Sequence, residues 1–230
     1  MSRTVPPPSR TRTSELDGVL FDMDGLLVDT EPVWFEVEST VMARLGGSWS
    51  PADQEQLIGG SLSRTLDYLL ARATRSASRQ TVARWMVDGM VDLLATGPVT
   101  ALPGALALLA EVAAAGVPHA LVTSSERAVM EAVLRRLAVS FPVTICGNDV
   151  RVTKPDPEPY LLAAARLGAD PARCVALEDS PNGVAAAEAA GCVTVAVPNR
   201  VPIPSVNGRV VVTSLTELSL TALHGLAAAR

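Results

Sequence analysis

Six short apolar runs, separated by longer stretches of helical period, restrict what this chain can fold into more than any other feature. They lie at residues 19–21, 120–122, 143–146, 174–177, 192–197 and 210–212. A run without polar alternation reads as a strand buried on both faces, and several of them indicate a parallel sheet covered by helices on each side. The stretches between the later runs carry that helical cover. One opens at Pro103–Gly104 and ends at Gly116, a second holds Val129, Met130, Val133, Leu134 and Leu137, a third spans 160–167, and an Ala-rich fourth ends at Gly191. Strand alternating with helix predicts an α/β fold with a doubly wound parallel sheet. Aromatic residues are 3% of the chain against 48% apolar overall, so Ala, Leu and Val must fill the core.

The first interval breaks the alternation. No strand is legible between residues 32 and 98, where three helices are expected. Thr30 is an expected N-cap and Pro32 is tolerated in the first turn. Val33, Trp34, Val37, Val41 and Leu45 then mark one helix face before Gly46–Gly47, and further helices are predicted at 62–73 and 79–94. An α-helical cap domain, residues 31–98, is therefore expected to be inserted after the first strand of a core made of 15–30 and 99–230. Residues 1–14, with Pro6–Pro7–Pro8 and three arginines, read as a disordered tail without a signal peptide.

Composition removes several function classes. A net charge of −5 with no basic stripe argues against a nucleic-acid partner, and no apolar run reaches membrane-span length. Cys146, Cys174 and Cys192 lie in or beside apolar runs and read as free thiols of a reducing cytoplasm. His119 and His224 stand alone, which argues against a histidine-based metal site or triad. A cytoplasmic monomer is expected.

Ligands of open parallel sheets bind beyond the carboxyl ends of the strands, and there the apolar runs give way to reactive side chains. The first ends in Asp22 and Asp24, alternate residues that share a face of the strand, with Gly25 allowing a sharp turn. The second ends in Thr123 and Ser124, and the fourth in Glu178 and Asp179; Lys154 lies in a loop before a helix. Each pair could instead cap the helix that follows it, and Lys154 could be a solvated loop lysine. Gathered at one sheet edge, they form four carboxylates, an ammonium and two hydroxyls. Clustered carboxylates call for a hard cation, and all-oxygen ligation favours Mg²⁺. A lysine and hydroxyl donors suit phosphoryl oxygens. One aspartate can attack phosphorus while a second moves protons.

These residues occur as Asp22–Met–Asp24–Gly25, Leu121–Val–Thr123–Ser124, Lys154–Pro–Asp156–Pro and Leu177–Glu178–Asp179–Ser180–Pro–Asn182–Gly183. In this form the chain resembles the haloacid dehalogenase superfamily of phosphohydrolases over residues 16–218, nearest to sugar-phosphate phosphatases and β-phosphoglucomutases. The resemblance implies that Asp22 is the nucleophile and a Mg²⁺ ligand. Asp24 would bind the metal through its backbone carbonyl and keep its side chain as acid and base. Thr123 and the backbone N–H of Ser124 would hold the phosphate, Lys154 would neutralise it, and Asp179 with Glu178 would complete the metal site. Gly25 and Asn182 are expected against the substrate. Asp24 separates the chain from true dehalogenases, and Ser124 stands where many relatives have Asn. The loop Gly59–Gly60–Ser61–Leu62–Ser63–Arg64 occupies the family's substrate-facing position, so Arg64 is a candidate substrate contact, against a plain helix-to-helix turn with Ser63 capping the next helix. The expected activity is hydrolysis of a small phosphate monoester, a sugar or polyol phosphate, with a phosphoglycolate or nucleotide ester as alternative. A mutase is disfavoured because Trp34, expected to pack with Val37 and Val41, stands where β-phosphoglucomutases carry a histidine. A catalytically silent binding protein is disfavoured because all four motifs are intact.

Overall fold

The computed structural model describes residues 16–206 and 208–229; the expected tail at 1–14 lies outside them. Strand β1 (Gly18–Phe21) is followed by α1 (Glu31–Arg44), α2 (Pro51–Glu55), α3 (Leu62–Arg72) and α4 (Arg79–Thr96). The alternation then resumes with α5 (Ala105–Ala114), β2 (His119–Val122), α6 (Arg127–Leu137), β3 (Val143–Ile145), α7 (Glu158–Leu167), β4 (Cys174–Glu178), α8 (Pro181–Ala189), β5 (Val193–Ala196), β6 (Arg209–Val211) and α9 (Leu220–Ala228).

All six strands pair in parallel in the order β3-β2-β1-β4-β5-β6. Alternate side chains of β1 enter different layers, as strand geometry requires. Val19 and Phe21 join a cluster built with α5, α6 and α9, whereas Leu20 packs among Tyr160 and Ala163 of α7 and Ala186 and Ala187 of α8. The small residues of α7 and α8 let those helices lie close to the sheet. The helices α1, α3 and α4 contribute Val37, Leu69, Met86 and Met90 to the first cluster, and α4 runs along α6.

Several local expectations need correction. The edge strands β3 and β6 are only partly buried, because no strand flanks their outer sides. Helix α2 follows from a capping box of Ser50 and Asp53, and α9 from a Ser219 cap with Leu223 and Ala227 facing inward; neither was expected. Ser61, not Ser63, caps α3. Thr30 occupies the N-cap position of α1, but its hydroxyl makes no capping bond. All three cysteines are buried thiols outside any disulfide. His119 is buried against Phe141, with Nδ1 at 2.9 Å from the Val117 carbonyl.

Candidate active site

The strand order reverses at β1, whose neighbours β2 and β4 lead to opposite halves of the sheet; the crevice at such a point is where doubly wound folds place their ligands. Asp22 and Asp24 emerge from β1, Thr123 from β2, and Glu178 and Asp179 from β4. Their alternative as helix caps is removed by the helices themselves. Ser180 caps α8 by accepting from Gly183 N at 3.1 Å, and α6 has no side-chain cap at all. The acids and hydroxyls at the strand ends are thus available to the crevice.

Lys154 is the hub. It is 6% exposed, and its ammonium donates to Asp22 Oδ1 at 2.5 Å, to Glu178 Oε1 at 2.6 Å and to the Val122 carbonyl at 2.8 Å. Tyr160 lies beneath it, with its ring centre 5.2 Å from Nζ and its hydroxyl donating to Glu178 Oε1. Burial opposes the lysine charge, but Asp22 and Glu178 outweigh it and hold the ammonium above its usual range. Burial first, and then the charge of Glu178, push Asp22 up to about 8 against the pull of Lys154. Asp179 is raised well above the usual carboxylate range by burial and by Asp22 and Glu178.

The carboxylates of Asp22, Glu178 and Asp179 each offer an oxygen within 4.8 Å of the others. Glu178 Oε2 is buried and has no hydrogen-bond partner. Two glycines make room for this cluster. Gly25, at φ +85°, passes so close to Asp179 that a Cβ would collide with its carboxylate, and a Cβ on Gly183 would collide with that of Glu178. An all-oxygen donor set, an orphaned oxygen and two carboxyls pushed upward by burial and then by neighbouring charge fit a hard divalent cation such as Mg²⁺.

Asp24 lines the same crevice and its carboxylate is fully occupied. Its Oδ1 accepts from Thr30 Oγ1 at 2.5 Å and from Trp34 Nε1 at 3.3 Å, and its Oδ2 from Ser125 Oγ at 2.7 Å and Thr123 Oγ1 at 3.2 Å. Trp34 therefore does more than pack, since its N–H reaches the second aspartate of the motif. Ser124 Oγ is buried in the same crevice without a partner.

The haloacid dehalogenase-like hydrolase family matches the chain over residues 16–191. The chain belongs to that family. Hexitol phosphatase B of Escherichia coli (strain K12) is 36% identical to this haloacid dehalogenase-like hydrolase over 184 residues, 78% of this chain and 82% of the relative. Hexitol phosphatase A of the same strain is 34% identical over 207 residues, 89% and 94% of the two chains. The crystal structure of CbbY from Rhodobacter sphaeroides in complex with phosphate superposes with a TM-score of 0.84 at 29% identity, covering 90% of this chain and 99% of that one.

In this hydrolase the crevice opens into a cavity of about 80 Å³ whose far wall comes from α1, α2, the loop at 57–61 and the start of α3. Two expected substrate contacts behave differently there. Arg64 is exposed, turns away to donate to the Gln56 carbonyl at 2.6 Å, and does not line the cavity, whereas its neighbour Thr65 does. Asn182 donates to the Gly59 carbonyl at 2.9 Å and so ties the 57–61 loop to the core. Sequence reasoning missed Ser125, Tyr160, Glu31 and Glu38. The hydroxyl run Thr123–Ser124–Ser125 carried a signal for the first, and the helical spacing of Glu31, Trp34 and Glu38 carried one for the last two.

Proposed function

We propose that this hydrolase is a Mg²⁺-dependent phosphatase of small sugar or polyol phosphates that works through an aspartyl-phosphate on Asp22. The observation that carries the reading is the Lys154 ammonium, buried between Asp22 and Glu178 with Asp179 beside them. Such an arrangement orients Asp22 Oδ2 for attack while Oδ1 is held by the lysine. Mg²⁺ held by Asp22, Asp179, the Asp24 carbonyl and Glu178 would offset the charge on the phosphoryl oxygens.

The chain's own groups account for the remaining steps. Thr123 and the Ser124 N–H hold a phosphoryl oxygen. An Asp22 oxygen bonds to phosphorus as the P–O bond to the leaving group breaks, and the departing oxygen takes a proton from Asp24. Water then attacks phosphorus, gives its proton to Asp24, and the P–O bond to Asp22 breaks to restore the carboxylate. Proton delivery needs Asp24 to release one of its four donors. Trp34, in the first turn of α1, would let go if residues 31–98 move as a cap over the core of 15–30 and 99–230. Trp34 also supports a hydrolase over a mutase, because an indole N–H donates but exchanges no proton. The same reading has the enzyme acting as a cytoplasmic monomer, whose oligomeric state light scattering checks.

Asp22→Asn is the direct test. It should stay folded, lose turnover on a panel of phosphate monoesters with Mg²⁺, and fail to bind beryllium fluoride where wild type binds it. Turnover by this variant beyond trace deamidation sinks the covalent route.

A further inference from the structure

Glu38 is a carboxylic acid that the chemistry above does not use. It is 3% exposed and lines the reaction cavity; its Oε2 is buried outside hydrogen-bonding geometry, and the donor acting on the carboxyl is the Trp49 indole, whose own Nε1 is likewise buried and unsatisfied. Leaving a buried acceptor unpaired is costly, by an amount comparable to a lost hydrogen bond. Its place on α1 explains how it faces the cavity. Glu31, Trp34 and Glu38 are spaced i, i+3 and i+7, so they share one helix face. Trp34 donates to Asp24, which fixes that face toward the reacting end of the crevice.

The rest of the wall is uniform in character. Gln54 donates to Glu31 Oε2 at 3.0 Å and to its carbonyl at 2.8 Å, and Ser61 and Thr65 add hydroxyl-bearing side chains. Among the described residues lining the cavity, Lys154 is the one base, and it is committed to Asp22 and Glu178. Arg200 stands outside, paired with Asp29 at 3.1 Å, and Arg64 faces Gln56. A second anionic group on the substrate would thus be buried against two carboxyls with no cation to pair it, and an unpaired buried charge discriminates as effectively as an attractive contact.

We propose that Glu38 reads a hydroxyl of the leaving group, and that the wall it forms with Glu31, Gln54, Ser61 and Thr65 selects a neutral, polyhydroxylated leaving group over an anionic one. The proposal rests on the phosphatase reading of the core site. Burial, then the charge of Glu31, push Glu38 up to about 8 against the pull of the Trp49 N–H, so near neutral pH it carries a proton and can donate to a hydroxyl as well as accept from one.

The test compares kcat/KM for a hexitol phosphate, a short unsubstituted alkyl phosphate and phosphoglycolate in wild type, Glu38→Gln and Glu38→Leu. Wild type should favour the hexitol ester over both others. Glu38→Leu should cut the hexitol-to-alkyl ratio by ~10- to 100-fold, the worth of a hydrogen bond to a polar or charged group, and Glu38→Gln should keep most of it. Turnover with an unchanged ratio in Glu38→Leu, or a wild-type preference for phosphoglycolate, overturns the inference and leaves the phosphatase intact. The second comparison stands even if Glu38→Leu does not fold. Failure of wild type to turn over any monoester with Mg²⁺ overturns the phosphatase reading and the inference with it.

Discussion

Replacing Lys154 by Met should destabilise the protein most at alkaline pH and least at acid pH. Met fills the aliphatic volume of the buried stem, so the loss is dominated by charge. Lys154 spends its three N–H donors on Asp22, Glu178 and the Val122 carbonyl, and removing one partner of a buried ion pair costs ~3–5 kcal/mol. A second route gives a similar figure, because one proton bound by Asp22 can replace the lost ammonium. Protonating a carboxylate of ordinary pKa near 4 costs ~5 kcal/mol at about pH 7.5 and ~2 kcal/mol at about pH 5.5. The sign is that of an acid whose folded pKa lies above its unfolded value, with stability present at low pH and lost as pH rises through the folded pKa. For a chain of this size each kcal/mol is worth ~2–4 °C, so thermal melts should fall by ~6–20 °C at about pH 7.5 and by less than half as much at about pH 5.5. Mg²⁺ that binds the folded carboxylates alone should recover ~2.7 kcal/mol at a hundredfold excess over its Kd. Melts within ~2 °C of wild type, or an equal drop at both pH values, would refute the assignment of Lys154 as the internal counter-charge.

Gly183→Ala touches no reacting group, yet its Cβ displaces the Glu178 carboxylate; a stability loss of ~1–3 kcal/mol by urea titration, with weaker Mg²⁺ binding by calorimetry, is expected. Burial pushes Glu31 to about 7 and Glu38 to about 8, so metal-free protein should lose stability to urea as pH rises from about 6 to about 8.5, and Glu38→Gln should flatten the upper part of that slope. A stability that holds or rises over that range would contradict the burial of these groups. Asn182→Ala removes the bond to the Gly59 carbonyl and should speed amide exchange in the 57–61 loop by ~2- to 10-fold, the worth of one ordinary hydrogen bond; unchanged exchange would mean that the loop is held by other contacts.

The core half of the site was legible because each apolar run stops where its reactive residue begins. Phe21 is buried in the sheet and Asp22 is already in the crevice; Val122 gives way to Thr123 in the same manner. Sequence order and strand ends then suffice to bring Asp22, Thr123 and Glu178 together. The far wall was not legible, since a helix face tells which residues align but not what they face. Trp34 and Glu38 carry the spacing of a packed helix, and only the position of α1 over Asp24 turns it into a cavity wall. Arg64 was misplaced for a related reason. Ser61 caps α3, which sets its first turn so that Thr65 points inward and Arg64 outward. Tyr160 looked like a core aromatic of α7, and it is one; its hydroxyl reaches Glu178 because α7 packs directly beneath the strand ends.

Helix α1 holds Asp24 through Thr30 and Trp34 at one end and presents Glu38 to the substrate one turn further along. A rigid helix cannot tilt at Glu38 and stay still at Trp34. Any change that reshapes this wall by moving α1 therefore also moves the donors around the acid, so substrate range and proton transfer are mechanically linked on that side of the cavity. The 57–61 loop carries no such tie, being joined to the core at Asn182 rather than at a reacting group. Variants selected for a new leaving group should accordingly accumulate in that loop and at Thr65, and substitutions on the buried face of α1 should trade rate for range.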